Sequence, residues 1–225
     1  MKIKWLGHAS FLITSRSGTR IITDPYQSGL KKRLVGLRYG NIQEPADVVT
    51  VSHNHWDHNN SAGVPGNPHV VRVAGTTQVD GIAFRGISGS HGPLRGPNIV
   101  FCFTVDGLRV CHLGDQAKPF TKQQFDEIGE LDVLFLPIIR MPFMNLLDRR
   151  PTELELLAER TNVKVMIPMH FRSWKCLLPL LTIDGYLKNK GLEDKVESIK
   201  LEDCEVELTR ETLPARPKFL ILKPA

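Results

Sequence analysis

The sequence predicts an α/β protein, rich in β-structure, with helices interleaved mainly in its second half. Three observations carry that prediction. Two Asp-Gly dipeptides, Asp80-Gly81 and Asp106-Gly107, each sit between β-rich runs, the strongest short-range hairpin signal in a sequence. The apolar runs of the first half are short and broken by Gly, Asn, Asp or Pro, as strands are. Helix start signals come only later, at Thr121 and at the capping box Thr152-Glu-Leu-Glu155.

Residues 2–6, 10–14 and 20–23 are apolar runs separated by Gly7-His8 and by a polar stretch, and the third ends at Asp24-Pro25. They predict an opening antiparallel meander. Residues 28–40 carry turn signals and a basic cluster with weak periodicity and read as a loop. Asp47–Ser52 is a buried-strand run leading into a histidine cluster. Val70–Val73 is the next strand, followed by the two Asp-Gly hairpins, the second joining Val100–Val105 to Leu108–His112. Thr121 caps a helix to about Ile128, and Thr152 opens a second to about Arg160. Val163–Met169 reads as a strand ending at His170. Leu177–Lys190 has helical periodicity with Gly191 as its stop, and Glu205–Leu208 and Phe219–Leu222 close the chain as strands. No repeat, low-complexity tract or Pro/Gly/Ser linker interrupts it, so one domain over 1–225 is expected.

Of the 225 residues 41% are hydrophobic, 24% charged and 7% aromatic, an ordinary globular composition that excludes a disordered, collagenous or membrane-embedded chain. Lys and Arg number 29 against 24 Asp and Glu, a formal charge of +5. That surplus allows an anionic substrate without demanding nucleic acid. The apolar stretch at the start is cut by Gly7-His8 and is not followed by a cleavage-site pattern, and no run approaches membrane-spanning length. Cys102, Cys111, Cys176 and Cys204 form no C-x-x-C pair and read as reduced, mostly buried side chains. A cytoplasmic protein acting on a small molecule is expected, with no membrane or nucleic-acid partner, and homo-oligomerisation is left open.

Residues 53–58 read His-Asn-His-Trp-Asp-His. Neutral imidazoles and a carboxylate are the donors that Zn²⁺ or Mn²⁺ prefers. On an extended stretch His53 and His55 share a side, and a turn after them can swing Asp57 and His58 toward a second position. Three further candidates follow strands downstream: His91 in SGSHGP, Asp115 in CHLGDQ and His170 in IPMHFR. A β-scaffold gathers such loops at one edge, and Gly114 removes a side chain beside Asp115.

With these motifs, and with WLGHASFLI, ITDP and VMIPMHF, the chain resembles the metallo-β-lactamase superfamily over nearly its whole length. Within it the motifs look like the branch of small stand-alone metal-dependent hydrolases that also holds the L-ascorbate-6-phosphate lactonase-like proteins. The resemblance implies a four-layer αββα sandwich of two mixed, mostly antiparallel sheets with outer helices. It implies two divalent ions, zinc foremost with manganese or iron as alternatives. His53, His55 and His91 would hold one, Asp57, His58 and His170 the other, and Asp115 would bridge them. A water shared by two such ions ionises near neutral pH, and Asp57, the expected catalytic residue, can orient it and accept its proton. Gln116 stands where relatives often have Thr, and the ligand types are unaffected.

The implied activity is hydrolysis of a small anionic lactone, ester or phosphodiester by this hydroxide. His at position 55, rather than Glu, fits a hydrolytic site rather than the diiron oxygen-reducing branch, and Asp115 argues against antibiotic hydrolysis. A small nuclease on RNA or single-stranded DNA is the second reading, opposed by the low aromatic content. A non-catalytic metal or ligand sensor retaining the fold is the third. Asp24 is either a hydrogen-bond acceptor for a ligand imidazole or a turn-forming Asp-Pro. His8 is either a turn histidine or an acid or substrate contact. His112 is expected near the metal shell and His69 away from it. Arg172, two residues after His170, would project toward the site if the strand continued, and Arg140, Arg149 and Arg150 are further anion-binding candidates. Lys31-Lys32-Arg33 with Arg38 form either a solvated lid or a phosphate-steering patch. Trp56 and Trp174 are either packing residues or an aromatic wall.

Overall fold

A computed structural model describes residues 1–92, 95–138, 160–190 and 196–225, the last two of the third stretch by backbone alone. The opening meander is β1 (Lys2–Gly7), β2 (Ser10–Thr14) and β3 (Arg20–Thr23), paired antiparallel as expected. β4 (Val48–Thr50) and β5 (His69–Val71) then add in parallel. β13 (Glu205–Glu207) closes the other edge on β1, giving the six-stranded order β13-β1-β2-β3-β4-β5.

The second sheet starts with the two Asp-Gly hairpins. β6 (Gly75–Val79) turns into β7 (Ile82–Ser90), and β8 (Pro97–Val105) turns into β9 (Leu108–His112). Both residues of each turn have positive φ (Asp80 49° and Gly81 76°, Asp106 52° and Gly107 78°). That is the geometry for which Asp-Gly is selected. β10 (Val133–Pro137), β11 (Val165–Met169), β14 (Lys218–Ile221) and β12 (Glu197–Lys200) continue in parallel, giving β12-β14-β11-β10-β9-β8-β7-β6. β10 and β11 are buried at every residue, as strands covered on both faces are.

Alternation divides the six-stranded sheet between two cores. Ile3, Phe11, Ile13 and Val48 join Phe84, Phe101, Val110 and Phe135 of the other sheet in one cluster. Ile22, Val49 and Val51 point the other way, onto Tyr26, Leu37, Tyr39, Cys176 and Leu180. Two mixed sheets face to face with few helices among the described residues make an αββα sandwich.

Four elements depart from expectation. β10 was not expected, because a run buried at every residue shows no alternation. The loop over 28–40 contains a short helix, α1 (Leu30–Leu34). Its missing periodicity has a simple cause: it buries no residue. α2 (Lys122–Ile128) has the expected Thr121 cap, with Gln124 completing a capping box. The helix expected from Leu177 begins only at Ile183, as α3 (Ile183–Lys190). Pro179 disfavours helical backbone at Leu178, and Thr182 supplies the real cap, its Oγ1 accepting from the Gly185 N–H at 3.1 Å. β12 was not expected: only Ile199 of its four residues is even half-buried. The helix expected from Thr152 lies outside the described residues save for its end at Arg160.

Candidate metal centre

β1, β3, β4, β7, β9 and β11 run in the same direction within their sheets, so their C-terminal ends open at one edge. His8 follows β1, Asp24 follows β3, His53 comes three residues after β4, His91 follows β7, Asp115 comes three residues after β9 and His170 follows β11. The chain must turn sharply out of each strand there. His8, Asp24 and His170 do so at φ of 53°, 35° and 55°, a left-handed region where non-glycine residues cluster at functional sites.

The seven expected ligands converge. Nε2 of His53 lies 3.0 Å from Nδ1 of His55, and these two with His91 form one compact group. Asp57, His58 and His170 form a second, together with His8. Asp115 stands between them: Oδ2 is 3.3 Å from His91 Nε2, 3.7 Å from His53 Nε2 and 3.5 Å from His170 Nε2, and Oδ1 is 3.4 Å from His58 Nε2. Asp57 Oδ2 faces His58 and His170 at 3.9 and 3.8 Å. Ligands on a tetrahedral ion with bonds of about 2.0–2.1 Å are separated by about 3.3 Å, so this spacing suits Zn²⁺ or an ion of similar size. His58 Nε2 and Asp115 Oδ1 are buried and, among the described residues, make no hydrogen bond to each other or to any other group. Two such atoms facing one another fit a shared cation.

The other imidazole nitrogens are held. His58 Nδ1 donates to Asp24 Oδ2 at 2.8 Å, and Asp24 Oδ1 accepts from the Ser52 N–H at 2.7 Å. The Ser52 hydroxyl bridges Asp24 and His53 Nδ1, 2.9 Å from the latter. These bonds put the proton on Nδ1 of both histidines and leave Nε2 free to bind a metal. Asp24 is thus the hydrogen-bond acceptor of the two roles open to it, and it occupies the turn as well. Burial lowers His53 to about 4 and His170 to about 3, so both are neutral at pH 7. Burial alone would lower His58 too, but Asp115 and Asp24 outweigh it and raise it well above its usual value. Burial would raise Asp57, yet the hydrogen bond from His8 and the charge of His58 hold it well below the usual carboxylate range.

The wall behind Asp115 admits nothing larger than glycine. A Cβ on Gly114, at φ 55°, would lie 2.3 Å from Asn98 Oδ1 and 2.5 Å from Ser52 Cβ. The Asp115 N–H instead donates to Asn98 Oδ1 at 3.0 Å. Gln116 ties this loop to the His91 side, its Oε1 accepting from the Ser90 N–H at 2.9 Å.

His8 lies against the centre, its Nε2 3.1 Å from Asp57 Oδ2 and its ring 4.0 Å from that of His170. His112 is buried next to it, donating from Nε2 to the Ala9 carbonyl at 3.0 Å with Nδ1 3.9 Å from Asp24. His69 is exposed on β5. Arg172 is not brought to the site: the strand stops at Met169, and Arg172 is exposed with its N–H on the Leu181 carbonyl. Arg140, Arg149 and Arg150 lie outside the described residues. Sequence reasoning missed Arg95, whose Nη1 is 3.4 Å from His91 Nε2. It lies in the turn joining β7 to β8, five residues after Ser90, where no periodicity points to a target. Trp56 is half-buried with Lys32 Nζ 4.0 Å above its ring, whereas Trp174 is exposed.

Comparison with known proteins agrees with this architecture. The β-lactamase superfamily domain model matches residues 2–170. A protein of Methanoculleus marisnigri named as a UPF0173 metal-dependent hydrolase is 27% identical over 207 residues, covering 79% of this chain and 84% of its own length. One of the same name from Carboxydothermus hydrogenoformans is 28% identical over 222 residues, covering 85% and 92%. The crystal structure of a Thermotoga maritima protein named as a candidate Zn-dependent hydrolase of the metallo-β-lactamase superfamily superposes with a TM-score of 0.73. It is 34% identical, over 98% of this chain and 97% of that one. With a family match of that length on a fold and donor set of this kind, the chain belongs to the metallo-β-lactamase superfamily, as one of its metal-dependent hydrolases.

Proposed function

We propose that the protein hydrolyses a small anionic ester, lactone or phosphodiester with two divalent ions bound side by side. The observation that carries this reading is the position of Asp115, whose two oxygens face His53, His91 and His170 on one hand and His58 on the other. His53, His55 and His91 would hold one ion, Asp57, His58 and His170 the other, and Asp115 both. Bound there, the pair would supply a water acidified to near neutrality and a polarised acyl or phosphoryl oxygen. Asp57 is the more exposed acid of the centre, 14% against 2% for Asp115, so it is the carboxylate that an entering water meets. Ionised at pH 7, it orients that water and takes its proton. His8 fixes Asp57 Oδ2 from behind. Arg95 beside His91 and Lys32 over Trp56, the residue before Asp57, place positive charge next to the centre, which supports an anionic substrate.

The test is elemental analysis of the purified protein together with turnover of lactone, aryl ester and phosphodiester panels. About two equivalents of metal per chain are expected, and Asp115→Asn should lose metal and hydrolysis together. An Asp115→Asn protein with full activity and unchanged metal content overturns the proposal.

A further inference from the structure

Among the described residues six large hydrophobic side chains are exposed, and five of them lie on two segments that touch. Leu30, Leu34 and Val35 belong to α1 and its end, and Leu34 is 78% exposed. Trp174 (70%) and Leu177 belong to the loop after His170. The segments are joined by backbone: the Arg38 N–H donates to the Lys175 carbonyl and the Leu177 N–H to the Gly36 carbonyl, each at 2.7 Å, around a bridge between Leu37 and Cys176. Residues 28–43 carry Lys31, Lys32, Arg33 and Arg38, and residues 171–183 carry Arg172 and Lys175. Neither segment contains a single Asp or Glu. Lys32 leans over Trp56 and Lys175 reaches the C-terminal carbonyl of Ala225, which leaves Lys31, Arg33, Arg38 and Arg172 exposed on this face.

We infer that this face docks on an anionic lipid bilayer surface. An apolar group on segments that carry Lys and Arg but no Asp or Glu is the pattern that inserts at a headgroup boundary, with the apolar side chains in the acyl margin and Lys and Arg on anionic lipids. A tryptophan at its edge belongs at that depth. A second copy of the chain is the poorer occupant. A two-fold contact places the same patch against itself, which would set these cations against their own kind. No helix among the described residues is long and apolar enough to cross a membrane, and peripheral docking requires none. The docked face adjoins the metal loop, since the Gln27 N–H donates to the Trp56 carbonyl and Lys32 covers the Trp56 ring one residue before Asp57. The inference goes beyond the hydrolytic reading and stands without it.

The experiment is co-sedimentation of the full-length protein with vesicles of phosphatidylcholine alone and of an equimolar phosphatidylcholine–phosphatidylglycerol mixture, at low and high salt. Each basic residue near an anionic surface contributes about five-fold to partitioning. Binding to the mixed vesicles should therefore exceed that to phosphatidylcholine by at least about twenty-five-fold and weaken with salt. Lys31→Glu with Arg33→Glu should lower it by at least about twenty-five-fold, and Leu34→Ser with Trp174→Ser should also lose it. All four positions are exposed, so both double variants should melt as the parent does. Vesicles should shift the tryptophan emission to the blue, and Trp174→Phe should remove that shift. Absence of sedimentation with mixed vesicles, or equal binding to both kinds, overturns the inference. A concentration-dependent dimer broken by Leu34→Ser in a protein that ignores vesicles would assign the face to a second copy instead. A monomer that ignores vesicles, with Trp174 emission already blue, would assign it to the chain's own residues.

Discussion

His58 and His55 are both expected metal ligands, three residues apart, yet their surroundings are unlike. His58 is fully enclosed, with Nδ1 on Asp24, and Asp24 is itself held by the Ser52 N–H and hydroxyl. Of its neighbours in the second group, Asp57 is held by His8. His55 is half-buried, and its ring meets His53 at 3.0 Å. The Nδ1 atoms of His91 and His170 alike are buried without a hydrogen-bond partner among the described residues. An imidazole is oriented by what its second nitrogen holds. His58 is therefore oriented by Asp24 whether or not an ion is bound, whereas the half-buried His55 ring leans on another imidazole. The contrast predicts that His58 contributes more to metal binding than His55.

Alanine at the two positions separates them most. His58→Ala leaves Asp24 and Asp115 facing each other across a buried gap and should weaken metal binding by at least about 100-fold. His55→Ala should cost nearer ten-fold and spare the first equivalent. Competition against a fluorescent chelator reads both, and equal losses would break the comparison. A smaller effect is expected at the shared wall. Gly114→Ala combines a left-handed backbone with contacts of 2.3–2.7 Å to Asn98 and Ser52, and should lower the melting temperature by several degrees. Because Ser52 serves His53 and Asp24 alike, metal should be lost from both sides together, and loss from one side only would show the two to be independent.

The smallest effect is on pH stability of the metal-free protein. Burial holds His53 neutral to about pH 4 and His170 to about pH 3, against 6.5 for an ordinary histidine. An unfolded chain takes up those protons as pH falls below about 6.5, so acidification from there toward pH 4 favours unfolding. His58 has the opposite sign: its raised value adds stability that is complete below about 6.5 and fades as pH rises through the folded value. Asp24, Asp57 and Asp115, all lowered in the fold, contribute stability that is lost as pH falls. The majority sign predicts a melting temperature that drops on acidification, read by calorimetry. A rise between pH 6.5 and 4 would overturn the prediction, because the His58 contribution is already complete there and cannot offset the loss.

Much of the fold was legible in local pattern. The Asp-Gly turns appear as positive-φ pairs, the Thr121 cap starts α2, and β11 is the strand it reads as. The failures have separate causes. β10 is buried at every residue and carries no alternation to mark it. α1 and β12 bury too little to imprint a period, and α3 was drawn too long because leucines at helical spacing outweighed Pro179, whose effect is on backbone rather than hydropathy.

At the centre, the sequence by itself determined the donor types, their order and their placement after strands, because those are properties of local chemistry and of alternation. Which optional residues join them was decided only by tertiary structure. Arg172 was a candidate on alternation, but His170 leaves the strand at positive φ and the alternation ends with it. His8 joined because β1 and β11 end at the same edge of two different sheets, where the His170 N–H meets the His8 carbonyl at 3.3 Å. Arg95 joined because a turn between β7 and β8 folds its side chain back onto His91. A pattern along one strand records which face a residue takes. Which loop stands opposite is fixed by the packing of two sheets, and that contact leaves no period in the chain.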